Sequence, residues 1–274
     1  MRARLLFAAV CLVAVCGCHG LSSKPGEYDV TVRSVKAADR EIHATYVRPA
    51  QPRHPGRVII FTTGDDGWLG TSRAVFAHLA AQGYTLVGFS APEALGDIPR
   101  SDERVSPTRA AQGLKQVFAQ AKQQLDLPDS TPTIVVGFSR GASVVAFAAV
   151  HPELRDDVQG AVAIALTREA DYLRAPAGEL RPEIQVDDQG RIQLYPTLQL
   201  LGSTPLAVIQ STRDSYVPAA ESRALLGADT STLRLYAVDA KDHGFRNARD
   251  VLMRDLDDAL RWIDERVPLA RQAP

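Results

Sequence analysis

Five residues near the middle of the chain have the types and spacing of a nucleophile site: Gly137-Phe138-Ser139-Arg140-Gly141. A serine hydroxyl attacks poorly until a base takes its proton, so the motif calls for a histidine, and the histidine for an acid that holds it. After Ser139 the sequence offers two histidines, His151 and His243. His151 precedes Pro152 at the far end of the helix expected after the motif, about 18 Å of helical rise away, which excludes it as the base. His243 stands in Asp242-His243-Gly244-Phe245, behind the last expected strand. The acid belongs after the preceding strand, where Asp214-Ser215-Tyr216-Val217-Pro218 provides Asp214. Asp239 and Asp242 are rivals, but both lie too near His243 along the chain to reach around its ring. The order Ser139, Asp214, His243 is that of an α/β-hydrolase triad.

Elements of the right kind surround the motif. Thr133 to Val136 is a buried strand, and a helix of small residues runs from Gly141 to Val150, so Ser139 occupies a strand-to-helix turn. Gly137 and Gly141 keep side chains out of that turn. The amide of Arg140 is one expected oxyanion donor, and the amide of Thr63 or Gly64, behind the strand Arg57 to Thr62, is the other. Asp65 and Asp66 come next. A carboxylate aimed into an oxyanion hole would oppose the developing anion, so at least one of them should face the substrate channel and favour a cationic group. Their alternative is plain turn formation in water.

The remaining pattern is a doubly wound α/β chain. Tyr28 to Ser34 and Glu41 to Val47 alternate as an antiparallel pair. Thr85 to Phe89, Ala161 to Leu166, Pro205 to Gln210 and Leu233 to Val238 read as further strands. Helices are expected over Ser72 to Gln82, from Ser106-Pro107 to Leu125, and over Arg249 to Glu265. Strands alternating with helices give a mostly parallel sheet covered on both faces. The 38 polar residues between Leu166 and Pro205 are too long for a structureless loop and predict a small cap or lid over the site, about 167–204.

Composition bounds the rest. The chain has 274 residues, 45% hydrophobic and 23% charged, which suits one folded domain, expected over 28–267. A formal net charge of -1 gives no footing for nucleic-acid binding. Cys11, Cys16 and Cys18 are the three cysteines, so the body has neither a disulfide framework nor a cysteine zinc site. Triad chemistry calls for no cofactor and no metal. Arg2 and Arg4 precede an apolar run from Leu5 to Val15, too short to span a bilayer, and the segment 1–17 reads as a signal peptide. Val15-Cys16-Gly17-Cys18 is similar to a lipobox, making Cys18 the lipidation candidate, with 18–27 as a tether and a periplasmic, membrane-anchored protein as the expectation. A plain cleaved signal peptide is the alternative.

Ile60-Phe61-Thr62-Thr63-Gly64-Asp65-Asp66-Gly67-Trp68 resembles the Ser-Gly-Asp-Gly-Gly-Trp segment of the bacterial virulence protein VirJ family, which includes the C-terminal half of AcvB-type proteins. Gly137 to Ala142 is similar to that family's Gly-Tyr-Ser-Phe-Gly-Ala elbow, and Ala170-Asp171-Tyr172 to its Ala-Asp-Phe segment. Tyr195-Pro196, the Asp214 loop and Asp242 to Phe245 follow in the family's order. Here Asp66 replaces a Gly, Thr63 a Ser, and 167–204 diverges. The resemblance implies an α/β-hydrolase fold and action on envelope lipids, with aminoacylated phosphatidylglycerol as substrate class, and makes Asp65, Asp66 and Trp68 the substrate-binding candidates. Two other functions compete: a carboxylesterase for small soluble esters, and an idle scaffold that binds an envelope partner.

Overall fold

The computed structural model describes residues 27–95, 104–174 and 184–267. The signal peptide, Cys18 and nearly all of the tether lie outside the described residues.

Eight strands form one sheet. β1 (Tyr28–Ala37) and β2 (Arg40–Pro49) are an antiparallel hairpin at its edge. β3 (Val58–Thr62), α1 (Gly70–Ala81), β4 (Leu86–Phe89), a short α2 (Ala91–Leu95) and α3 (Pro107–Gln124) come next. β5 (Thr133–Phe138), α4 (Arg140–Val150) and β6 (Val158–Ile164) carry the serine motif. β7 (Glu169–Arg174), β8 (Arg191–Gln193) and α5 (Leu194–Thr197) make up the insertion. β9 (Leu206–Ser211), α6 (Ala219–Leu226), β10 (Leu233–Val238) and α7 (Arg249–Asp264) complete the chain. The strand order is β1-β2-β4-β3-β5-β6-β9-β10, parallel from β4 onward.

Parallel strands buried on both faces read as continuous apolar runs, as in Val58-Ile59-Ile60-Phe61 and Ile134-Val135-Val136. Alternate residues enter two cores. Ile60, Val135, Ala163 and Val208 pack under α3 and α4, while Ile59, Phe61, Val136 and Ile209 pack under α1 and α7. Ser106 caps α3 by accepting a hydrogen bond from the Arg109 amide, with Pro107 in the first turn.

The 167–204 segment is a cap with secondary structure of its own. β7 and β8 pair antiparallel, and Ala170, Tyr172, Leu173, Ile192, Leu194 and Tyr195 are drawn into the core beside α4. That apolar content places the cap at the flank of the elbow helix. None of its described residues lines the groove above Ser139.

Candidate active site

Three strand ends bring the chemistry together. Ser139 stands between β5 and α4 with φ 56° and ψ −118°, left-handed backbone that a non-glycine residue adopts only when its surroundings force it. The crossing of strand and helix supplies that force. A Cβ on Gly137 would fall on the carbonyl of Gly141, and one on Gly141 would fall on the carbonyl of Thr62. The Ser139 amide is spent on the carbonyl of Ile164 at 2.8 Å, which ties the turn to β6. The hydroxyl is thus held above the C-terminal edge of the sheet, where ligands bind in open α/β folds.

Ser139 Oγ lies 2.8 Å from His243 Nε2, and His243 Nδ1 lies 2.8 Å from Asp214 Oδ2. The Asp214 side chain is 0% exposed and that of His243 is 17% exposed. Tyr216 meets the imidazole edge-on at 4.8 Å, with Phe138 beside it at 5.5 Å. Thr71 Oγ1, in the first turn of α1, donates to the carbonyl of Gly244 and pins the histidine loop. The rivals are otherwise engaged: Asp239 with Arg213, Asp242 with Arg246. His151 caps the far end of α4.

The oxyanion candidates are sorted by their hydrogen bonds. Thr63 cannot serve, which corrects the reading of the sequence. Its amide donates to the carbonyl of Phe89 at 3.2 Å, continuing the sheet, and its hydroxyl accepts the amide of Ala91. Gly64 is the residue alongside Ser139, since a Cβ there would stand 3.1 Å from the Ser139 Cβ. Its amide donates to Ser72 Oγ at a long 3.2 Å, so an incoming oxyanion competes only with a hydroxyl. Arg140 opens the first turn of α4, whose dipole favours negative charge.

The substrate-binding candidates part company. Trp68 is a packing residue: it meets Phe76 edge-on at 5.0 Å and Phe61 at 6.1 Å, and it does not line the groove. Asp65 lines the groove but is claimed by Arg140, whose Nη2 lies 2.7 Å from Asp65 Oδ1 and 3.7 Å from Asp171 Oδ2. The Arg140 side chain is 4% exposed and that of Asp65 51%. Partial burial pushes the Asp65 carboxyl above its ordinary range, Arg140 opposes that, and Asp171 and Asp66 add to it. Asp66 also lines the groove, and among the described residues it forms no ion pair. The groove, about 520 Å³, is flanked by Leu69 and Tyr216, 65% and 60% exposed. Sequence reading missed Ser72, Tyr216, Gln210 and the inward turn of Arg140. A lone amide in the apolar Leu-Ala-Val-Ile-Gln-Ser strand was the available signal for Gln210.

A mostly parallel sheet, a strained serine between strand and helix, and an acid and a histidine delivered by the ends of the last two strands define an α/β-hydrolase. Within that class the chain belongs to the bacterial virulence protein VirJ family, whose model matches residues 56–230. No curated protein sequence matches it. Among solved structures it is similar to the Pyrococcus furiosus esterase Pf2001, at 15% identity over 86% of this chain and 93% of that one, TM-score 0.62. It also resembles an alpha-beta serine hydrolase homologue from Coxiella burnetii, at 17% identity over 82% and 97% of the two chains, TM-score 0.55. A Pyrococcus horikoshii acylaminoacyl peptidase matches at 14% identity over 88% of this chain and 42% of its own, TM-score 0.59.

Proposed function

We propose that this chain is a serine hydrolase that cleaves carboxylic esters through an acyl-enzyme. The observation that carries the reading is the unbroken chain Ser139 Oγ, His243 Nε2, His243 Nδ1, Asp214 Oδ2, with 2.8 Å at each hydrogen bond. Ser139 Oγ attacks the carbonyl carbon as His243 Nε2 takes its proton, and the resulting oxyanion is met by the amides of Arg140 and Gly64. The tetrahedral adduct collapses, and His243 gives the proton to the departing alcohol. Water, activated by the same imidazole, then releases the acid and restores the serine. The structural relatives that are an esterase and an acylaminoacyl peptidase support cleavage of an ester or a peptide.

The finer reading is an aminoacyl ester of an envelope phospholipid, handled by a periplasmic protein held at the membrane through Cys18. Family membership supports it, as do the exposed Leu69 and Tyr216 beside the groove and Asp66 within it, which forms no ion pair among the described residues. A small soluble ester is the second substrate class. It is favoured by the lack of any described cap residue over the groove. An idle scaffold would have no need of a triad held at bonding distance.

The deciding experiment is labelling with a fluorophosphonate probe. Wild type should label, and Ser139→Ala should neither label nor turn over p-nitrophenyl esters, a loss on the order of 10⁴-fold or more. Undiminished labelling of a folded Ser139→Ala protein would rule the mechanism out.

A further inference from the structure

β9 is buried at all six positions, yet its fifth residue is Gln210, 0% exposed. A primary amide in a dry core is costly unless every one of its polar groups is bonded. Gln210 meets that condition in a particular way. Its Oε1 accepts the amide of Leu166, at the end of β6, at 2.9 Å. A backbone N–H can only donate, so the amide orientation is fixed, with the oxygen on the Leu166 amide and the NH₂ left to donate. Nε2 lies 2.6 Å from the carbonyl of Val217, 3.1 Å from Asp214 Oδ2 and 3.4 Å from the carbonyl of Leu166. The oxygen that receives this second bond is the one that accepts His243 Nδ1.

Asp214 is therefore held on both sides. Oδ2 takes His243 and Gln210, and Oδ1 takes the amides of Tyr216 at 2.8 Å and Val217 at 3.4 Å. Among the described residues no arginine or lysine is paired with it. A buried carboxylate without a permanent cation depends on such donors to stay in place. We infer that Gln210 is a positioning residue of the triad: its amide locks the plane of the Asp214 carboxylate so that Oδ2 faces the imidazole, and clamps the Asp214 loop to β6. This rests on the triad reading given above.

The test uses the full chain with Gln210→Met and Gln210→Glu. Methionine fills the volume without any donor. Glutamate keeps the acceptor for Leu166 but turns a carboxylate toward Asp214. Two quantities are read besides the melting temperature: kcat and KM on p-nitrophenyl acetate, and the low-field proton resonance of His243 Nδ1. The expected result is a kcat reduced roughly tenfold to a hundredfold with KM within about twofold, since Gln210 touches no substrate and acts only through the base. The Nδ1 resonance should move or broaden in both variants. A lowered melting temperature with kcat within about threefold of wild type and an unmoved resonance would overturn the proposal, leaving Gln210 a packing residue. The resonance is read whether or not an ester is turned over, so failure of the hydrolase reading leaves this test intact.

Discussion

Asp65 and Asp66 are adjacent in sequence and sit in different surroundings. Asp65 neutralises a guanidinium that is almost entirely buried, at 2.7 Å, with Asp171 as a second carboxylate at 3.7 Å. Asp66→Asn should leave stability unchanged and act on substrates instead. It should lower kcat/KM for a lysyl ester roughly tenfold, about 1.4 kcal/mol, while a neutral ester of similar length changes little. Equal losses on both esters would reduce Asp66 to a turn former. Asp65 also carries a pH signature. Its carboxyl is held above the ordinary 3.8, so the folded protein binds that proton more tightly than the unfolded chain does. The associated stability is complete below the ordinary value and is lost as pH rises through the folded one. Measured as the difference between wild type and Asp65→Asn, stability should therefore slope downward over that window, which chemical denaturation at a series of pH values checks.

The elements explain why the position of Ser139 could be read directly and its setting could not. Ser139, Asp214 and His243 each follow a strand of strong apolar pattern, and each has a local signature in Gly-x-Ser-x-Gly, Asp-x-x-Val-Pro and Asp-His-Gly. The sheet strands and the longer helices were legible for the same reason, since their burial has a period. α2 and α6 have five and eight residues, too short to show one. Trp68 was misplaced because the resemblance groups it with Asp65 and Asp66 in one segment, while its aromatic partners come from β3 and α1. Arg140 reads as an elbow residue, but its carboxylates arrive from Asp65 and from Asp171 in the insertion, contacts that no local pattern carries. The elbow itself leaves no slack. Gly141→Ala would drive a methyl into the Thr62 carbonyl of the neighbouring strand, and a backbone atom cannot swing aside. The expected cost is upwards of about 3 kcal/mol, seen as loss of soluble protein. A Gly141→Ala protein with wild-type melting behaviour would contradict the crossing described for β3 and α4.

At the scale of the whole molecule, a catalytic body is expected to hang from a short tether at a membrane. Cys18→Ser should shift the protein from the membrane fraction to the soluble periplasm with its esterase activity unaltered. Wild type found already soluble after osmotic shock would point to a plain cleaved signal. The packing of Trp68 has a consequence of an optical kind. The chain has two tryptophans, and the other, Trp262, lies on α7 under the Arg266 guanidinium at 4.5 Å. Trp262→Phe would leave a single emitter, wedged against Phe61 and Phe76 and three residues beyond Asp65. Its emission should respond when a fluorophosphonate occupies Ser139 and draws on the Gly64 amide. The loop proposed to receive the oxyanion would then report its own occupancy in real time, without any added dye.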